Sequence, residues 1–276
     1  MLTKKKTRNE EEMLRFNMFK LIFAVTIGMV SLVACSSTEQ QEDVQLTVSV
    51  AASMSDAIEE IALSFEQDNP NINILLNVGS SGGLQQQITQ GAPADLFLSA
   101  AEDKMNVLLD QGLVDEEYVT PLLGNKLVLI VSKHEDAPIT SFNDLAEDFI
   151  DKIAIGTPES VPAGMYAKQT LITRNLFDQL ENKLVYGKDV RQVLTYVETE
   201  SVQAGVVYLT DAMKSDVVNV VDRTVDQDHM PIIYPAGIVK STENRQQAIL
   251  FYEFLNSDLA FGIFEKYGFS PLEVDQ

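Results

Sequence analysis

The sequence predicts an α/β fold of two lobes. Short β-rich runs alternate with helical patterns along most of the chain, which is the signature of strands layered against helices with largely parallel sheets. About ten such strands are too many for one compact sheet of the usual ~4–6. No Pro/Gly-rich linker separates the halves, so the lobes are expected to be joined by extended crossings of the chain. No internal repeat or low-complexity stretch is evident.

The elements follow in order. Leu46–Val50 reads as the first strand. Ile58, Ile61, Ala62 and Phe65 then recur at the i, i+3, i+4, i+7 spacing of a helix. Ile72–Val78 is a second strand, with a helix marked by Leu84 and Ile88. Leu96–Leu98 is a third, after Pro93, and Val107–Leu109 lie on a third helix. Leu127–Val131 is a continuous apolar run, as a buried strand should be. Ser141 to Asp144 has the pattern of a capping box opening a helix. Ile153–Ile155 is a strand, followed by a helix from Pro162. After the strand Leu184–Tyr186, the residues Val190, Val193, Leu194 and Val197 form a clean helical stripe. Val206–Tyr208, Val217–Val221 and Ile232–Val239 are further strands. Two helices finish the chain, one with Ala248, Tyr252 and Leu255, the other with Leu259, Ile263 and Tyr267.

Composition narrows the function. The 276 residues include 20 basic and 41 acidic ones, a formal charge of −21, and 45% are apolar. The chain is too apolar for disorder. It lacks the basic stripe that would neutralise phosphates, which argues against nucleic acid. One Cys excludes a disulfide framework and a multi-Cys metal site, and two His, His134 and His229, leave little for a His-rich one.

The N-terminus reads as an address. Leu21–Ala34 is an uncharged apolar run, too short to span a bilayer, preceded by Arg15 and Lys20. It ends Leu32-Val33-Ala34-Cys35, small residues before the single Cys. This resembles the lipobox of bacterial lipoproteins, which implies a signal peptide over 1–34, lipidation of Cys35 and a tether over 35–45. The first 34 residues carry six basic and three acidic side chains. The mature chain keeps 14 and 38, a net charge of −24, so the lipid rather than surface charge would anchor it to the membrane.

Five turns hold the candidate chemistry, each where a strand gives way to a helix or ends. The first is Ala51-Ala52-Ser53, in which Ser53 could equally cap the next helix with Asp56 at the capping-box position. The second is Gly79-Ser80-Ser81-Gly82-Gly83, small enough for backbone N–H groups to approach a ligand. The third is Val161-Pro162-Ala163-Gly164, where Pro suits a helix start and Ala163 offers a bare N–H. The fourth is Gly187-Lys188-Asp189-Val190, with Asp189 as cap and Val190 as an early residue with a free N–H. The fifth is Tyr208, at the end of a strand. Each alone also reads as plain helix initiation or packing. Together they offer donors without a cation, from helix N-termini and hydroxyls. Such a set suits an oxyanion fully deprotonated at pH 7, such as molybdate or sulfate. It suits phosphate less, because a bound proton needs an acceptor.

A second class must be weighed. Gly79 to Gly83 also matches the G-x-S-x-G nucleophile elbow, which would make Ser81 a hydrolase nucleophile with His229 downstream. No Gly-rich oxyanion loop precedes it, and His229 follows Asp226-Gln227-Asp228 in what reads as a solvated acidic loop. Asp95 is read as structural, and Lys104, Lys126, Lys168 and Arg191 as lying on solvated faces.

The same turns resemble the molybdate-binding proteins of bacterial molybdate ABC transporters. The matching stretches run from about Leu46 to Phe269. They include Ala51-Ala52-Ser53, Gly91-Ala92-Pro93-Ala94-Asp95-Leu96-Phe97 and Leu122-Leu123-Gly124-Asn125. They continue through Val161 to Lys168, Asp189-Val190-Arg191, Gly205-Val206-Val207-Tyr208 and Lys266-Tyr267-Gly268-Phe269. The resemblance implies a type II periplasmic-binding-protein-like fold, each lobe a mainly parallel sheet flanked by helices, with the ligand in the cleft. Lobe 1 would hold 46–123 and 240–276, and lobe 2 would hold 124–239. It implies an extracytoplasmic, monomeric receptor, not an enzyme, that delivers molybdate, and tungstate, to a membrane permease. In that family two Ser, two backbone N–H groups and a Tyr hold the anion. These fall here on Ser53, Ser81, Ala163, Val190 and Tyr208, which would hold the metal as its oxyanion, with no direct metal-ion ligand and no cofactor. Relatives have a Ser/Thr run where this chain has Ser80-Ser81-Gly82-Gly83, so Ser80 and Ser81 both stand as the second serine.

Overall fold

The computed structural model describes Met13 and residues 43–272 except Asp136. The expected signal peptide, Cys35 and all but the last few residues of the expected tether lie outside the described residues. The tether, expected to reach residue 45, gives way earlier, because the first strand starts at Val44.

In chain order the elements are β1 (Val44–Ala51), α1 (Ser55–Asp68), β2 (Ile72–Gly79), α2 (Ser81–Thr89), β3 (Leu96–Leu98), α3 (Glu102–Asp110) and β4 (Val114–Gly124). The chain then crosses to β5 (Leu127–Ser132), β6 (Ile153–Gly156), α4 (Pro162–Thr173), α5 (Phe177–Leu180), β7 (Leu184–Gly187), α6 (Val190–Glu198), β8 (Ala204–Tyr208), α7 (Leu209–Ala212) and β9 (Val218–Arg223). It returns through β10 (Ile233–Val239), α8 (Arg245–Leu255), α9 (Asp258–Lys266) and β11 (Ser270–Pro271).

Among the described residues these strands form two sheets, ordered β11-β4-β10-β3-β1-β2 and β7-β6-β8-β5-β9. Each is mixed where mainly parallel sheets were expected. In the first, β1 runs parallel to β2 and β3, while β10 is antiparallel to β3 and β4. In the second, β6 runs parallel to β7 and β8, while β5 is antiparallel to β8 and β9. Each sheet therefore contains one parallel triple whose carboxyl ends open on the same edge. Those edges carry the five candidate turns.

The expected lobe boundary at Val239 is corrected by strand pairing. β10 is hydrogen-bonded to β3 and β4, so the second sheet's own strands end at Arg223. The apolar character of Ile232–Val239 says only that the strand is buried; which sheet it joins is a long-range choice. β4 was also not foreseen. Its start, Val114-Asp115-Glu116-Glu117, is polar, and Pro121 sits opposite Pro235 beside a register shift where no ladder N–H is needed. The helix expected after Ser141 is a short 3₁₀ turn, Phe142–Ala146, whose Asp144 carboxylate accepts the N–H groups of Thr140 and Ser141 at 2.8 Å.

The core follows the strand period. Leu96 and Leu98 enter the main core with Val48, Val50, Ile58 and Phe251, while Phe97 turns to a smaller cluster with Leu84, Ile88, Met105 and Leu108. Every residue of β5 is buried, as its unbroken apolar run required. Asp95 is a structural group: it accepts the Thr47 N–H at 2.7 Å and the Thr242 hydroxyl, tying β1 to the start of α8.

Candidate functional site

Three turns of the first lobe and three of the second meet over one small cavity. From the first lobe come Ser53 after β1, Ser80 and Ser81 after β2, and Ala100 after β3. From the second come Val161 and Pro162 after β6, Asp189 and Val190 after β7, and Tyr208 at the end of β8. Ala163 does not line the cavity itself but follows Pro162 as a fully buried residue in the first turn of α4. The structure thus brings four of the five residues that sequence reasoning selected onto one cavity, with Ala163 one position beyond its lining residue Pro162. The cavity leaves about 10 Å³ for the centre of a water-sized sphere, room for one small group and far below the ~300–1,000 Å³ of an organic-ligand pocket.

The local chemistry is that of donors. Ser53, Ser81, Ala163, Val190 and Tyr208 are all buried, at most 4% exposed. The backbone N–H groups of Ser53, Ser81, Ala163 and Val190 lie in first helical turns and find no acceptor among the described residues. The sequence pointed to two of these N–H groups; those of Ser53 and Ser81 become visible only in the structure. Lys and Arg are absent from the lining. Asp189 is the one carboxylate there, and it is turned away to cap α6, accepting the Gln192 N–H at 2.8 Å.

Hydrogen bonding orients the hydroxyls around the cavity. The Oγ of Ser81 accepts the Ala100 N–H at 2.9 Å, so its own proton is left to donate. Ser80 is the N-cap of α2 and accepts the Gly83 N–H at 3.3 Å; it is less buried than Ser81, which makes Ser81 the inner of the two. Ser53 does not cap α1, which has no side-chain cap. Its Oγ lies 3.1 Å from the Tyr234 hydroxyl instead. Asn125 Nδ2 donates to that hydroxyl at 3.1 Å, while its Oδ1 accepts the Lys126 N–H at 2.8 Å. Either hydroxyl can donate in this pair, and with Tyr234 donating the Ser53 proton is available to a ligand. Burial pushes both Tyr208 and Tyr234 well above the ordinary phenol range, so both stay protonated donors. Tyr208 donates to the Ala100 carbonyl at a long 3.4 Å. Tyr234 and Asn125 escaped sequence reasoning because their role depends on contacts to residues more than 100 positions away.

The nucleophile-elbow arrangement does not form. The Ser81 Oγ is bonded to a backbone N–H, and both His229 ring nitrogens are engaged elsewhere, with Thr224 Oγ1 at 2.8 Å and the Met230 carbonyl at 2.7 Å. Nor is the His229 stretch simply a solvated acidic loop. Asp228 is buried, and it is gripped by Arg174 through Nη2 at 2.6 Å and Nε at 3.1 Å. Two of the cations placed on solvated faces lie at the lobe contact. Lys104 donates to the Glu159 carbonyl at 3.2 Å, and Arg191 pairs with Asp56. Lys126 is exposed, and Lys168 is half-buried against the Phe177 ring.

A cavity of unpaired donors, assembled from two α/β lobes that are joined by two chain crossings, defines a solute-binding protein. Residues 46–270 match the sequence profile of the bacterial extracellular solute-binding proteins. The chain belongs to that family, whose members are extracytoplasmic substrate-binding components of ABC transporters. It is 52% identical over 259 residues to YvgL of Bacillus subtilis (strain 168), covering 92% of this chain and 99% of that protein, which is provisionally named an ABC transporter substrate-binding lipoprotein. It is 37% identical over 232 residues to the molybdate-binding protein ModA of Haemophilus influenzae, covering 82% and 90%. The solved periplasmic molybdate-binding protein of Azotobacter vinelandii superposes with a TM-score of 0.74 at 25% identity, over 83% of this chain and 100% of that one.

Proposed function

We propose that this protein captures molybdate, and tungstate with it, and hands it to the permease of an ABC importer while Cys35 tethers it to the membrane through lipid. It works as a monomer and performs no covalent chemistry. The observation that carries the reading is the donor set: N–H groups of Ser53, Ser81 and Val190 with the hydroxyls of Ser53, Ser81 and Tyr208 at one small cavity between the lobes, and the free Ala163 N–H just behind its lining. Helix N-termini stabilise negative charge through their dipoles and orphan N–H groups. A site without a Lys or Arg counter-charge holds a dianion by hydrogen bonds distributed over both lobes, so capture and closure are one event. The identity to molybdate-binding proteins supports the choice of anion within this chemistry.

Titration calorimetry with molybdate, tungstate, sulfate and phosphate tests the proposal. Tight binding of the first two with silence for the others is expected. Sulfate binding of equal strength would make the protein a broader oxyanion receptor, and silence for all four would end the reading. Ser53→Ala and Ser81→Ala each remove one donor to a buried anion and are expected to cost ~1.5–3 kcal/mol, roughly 10- to 150-fold in affinity.

A further inference from the structure

The two lobes are tied by charge as well as by the cavity. Asp56, in the first turn of α1, accepts from Arg191 Nη2 and, at 2.9 Å, from Lys214 Nζ. Lys214 also donates to the backbone carbonyl of Ser53 at 3.1 Å. Asp56 stands three residues after Ser53, and Arg191 directly follows Val190. One carboxylate of the first lobe therefore holds two cations that the second lobe supplies from separate segments. Neither partner lies in the lobe of Asp56, and Asp56 has no capping duty in its own helix. Lys214 even passes over Asp211, a buried carboxylate three residues before it with both oxygens unpartnered, and reaches across the cleft instead. The cluster is partly shielded, with side-chain exposures of 35% for Asp56, 20% for Lys214 and 40% for Arg191, which limits screening by salt.

We propose that Asp56 is a positioning residue that latches the closed cleft through Arg191 and Lys214 and thereby sets how long the ligand stays. This rests on the reading of the cavity as an anion site, because the latch joins the two turns that carry its donors. It follows that removing the carboxylate has two separable consequences. Losing the latch speeds release, and freeing two cations beside the cavity speeds anion arrival at low salt. Equilibrium affinity mixes the two, so the rates must be read apart.

The test is stopped-flow binding and release of molybdate, followed by tyrosine fluorescence, for the unaltered protein, Asp56→Asn, Asp56→Glu and Lys214→Gln. Asp56→Asn is expected to raise the release rate about 3- to 5-fold, the upper end of the scale of a partly shielded ion pair. Asp56→Glu should restore slow release in part. Release rates within twofold of the unaltered protein for both Asp56→Asn and Lys214→Gln would overturn the latch. A second measurement needs no ligand: the distance between labels on Leu63→Cys and Ile172→Cys, exposed positions of the two lobes, in a Cys35→Ser background. Asp56→Asn should shift this distance to longer values, and unchanged distributions would also overturn the latch. If the unaltered protein binds none of the oxyanions, the functional reading falls while the distances still decide the latch.

Discussion

The Gly82 N–H donates to the Ser160 carbonyl at 2.9 Å, directly joining the first turn of α2 in one lobe to the turn before α4 in the other. The approach is so close that a Cβ on Gly82 would stand 2.7 Å from both the Cα and the carbonyl oxygen of Ser160. Glycine is therefore required here by the closed cleft and not by its own lobe.

Gly82→Ala separates closure from folding. Within α2 alone alanine is the better helix former by ~1 kcal/mol. In the closed state it meets rigid backbone, an overlap that costs about 1–3 kcal/mol, or roughly 5- to 150-fold in affinity. Calorimetry should show this loss while thermal unfolding without ligand stays at or above the level of the unaltered protein. Undiminished affinity would mean that the ligand is held without the Gly82–Ser160 contact.

Tyr234→Phe tests how Ser53 is aimed. The ring would keep its edge-to-face contacts with Tyr208 and Phe269, at centroid distances of 5.6 and 5.4 Å. The hydroxyl that pairs with Ser53 would be gone, and Asn125 would lose one acceptor. A net hydrogen-bond contribution of about 1 kcal/mol gives an affinity loss of roughly fivefold. A loss as large as that of Ser53→Ala would instead place Tyr234 in direct contact with the anion.

Asp211 gives stability a pH dependence. Burial pushes its carboxyl up to about 6; Lys214 and Arg191 oppose this, and Asp56 and Asp189 add to it. Below the ordinary value of 3.8 the group is protonated in both folded and unfolded chains and is neutral to folding. As pH rises, the unfolded chain gives up this proton first, so folding weakens until the folded group also ionises near pH 6. The full difference is ~3 kcal/mol. Asp211→Asn should raise the thermal midpoint at pH 8 and leave it nearly unchanged at pH 4. An equal shift at both pH values would assign the effect to packing.

Arg174 holds the second lobe. It pairs with Asp228, reaches Asp222 at 3.2 Å through Nη1, and stacks over the Phe142 ring at 4.5 Å. Arg174→Gln strands two carboxylates, one of them buried, at a cost of about 2–3 kcal/mol. That corresponds to roughly 4–12 °C in the unfolding midpoint for a chain of this size. Calorimetric unfolding checks it, and a shift below one degree would show that water solvates both carboxylates without penalty.

Much of this molecule is legible in short stretches of sequence. The period of two in Leu46–Val50 and the stripe of Val190, Val193, Leu194 and Val197 reflect which faces must leave water, and that is decided within a few residues. Pro162 before Ala163 and Asp189 before Val190 mark where a first helical turn leaves an N–H group free, again a local matter.

Tertiary structure decided what local pattern leaves equivalent. A buried apolar strand satisfies its side chains in either sheet, so only pairing with β3 and β4 places β10 in the first. Ser53 and Asp56 carry the spacing of a helix cap, yet their partners are Tyr234, 181 residues away, and Arg191 with Lys214. A hydroxyl or carboxylate accepts any donor within about 3 Å. The choice among donors is therefore made by which segments the fold brings together, and the direction of the free protons follows from that choice.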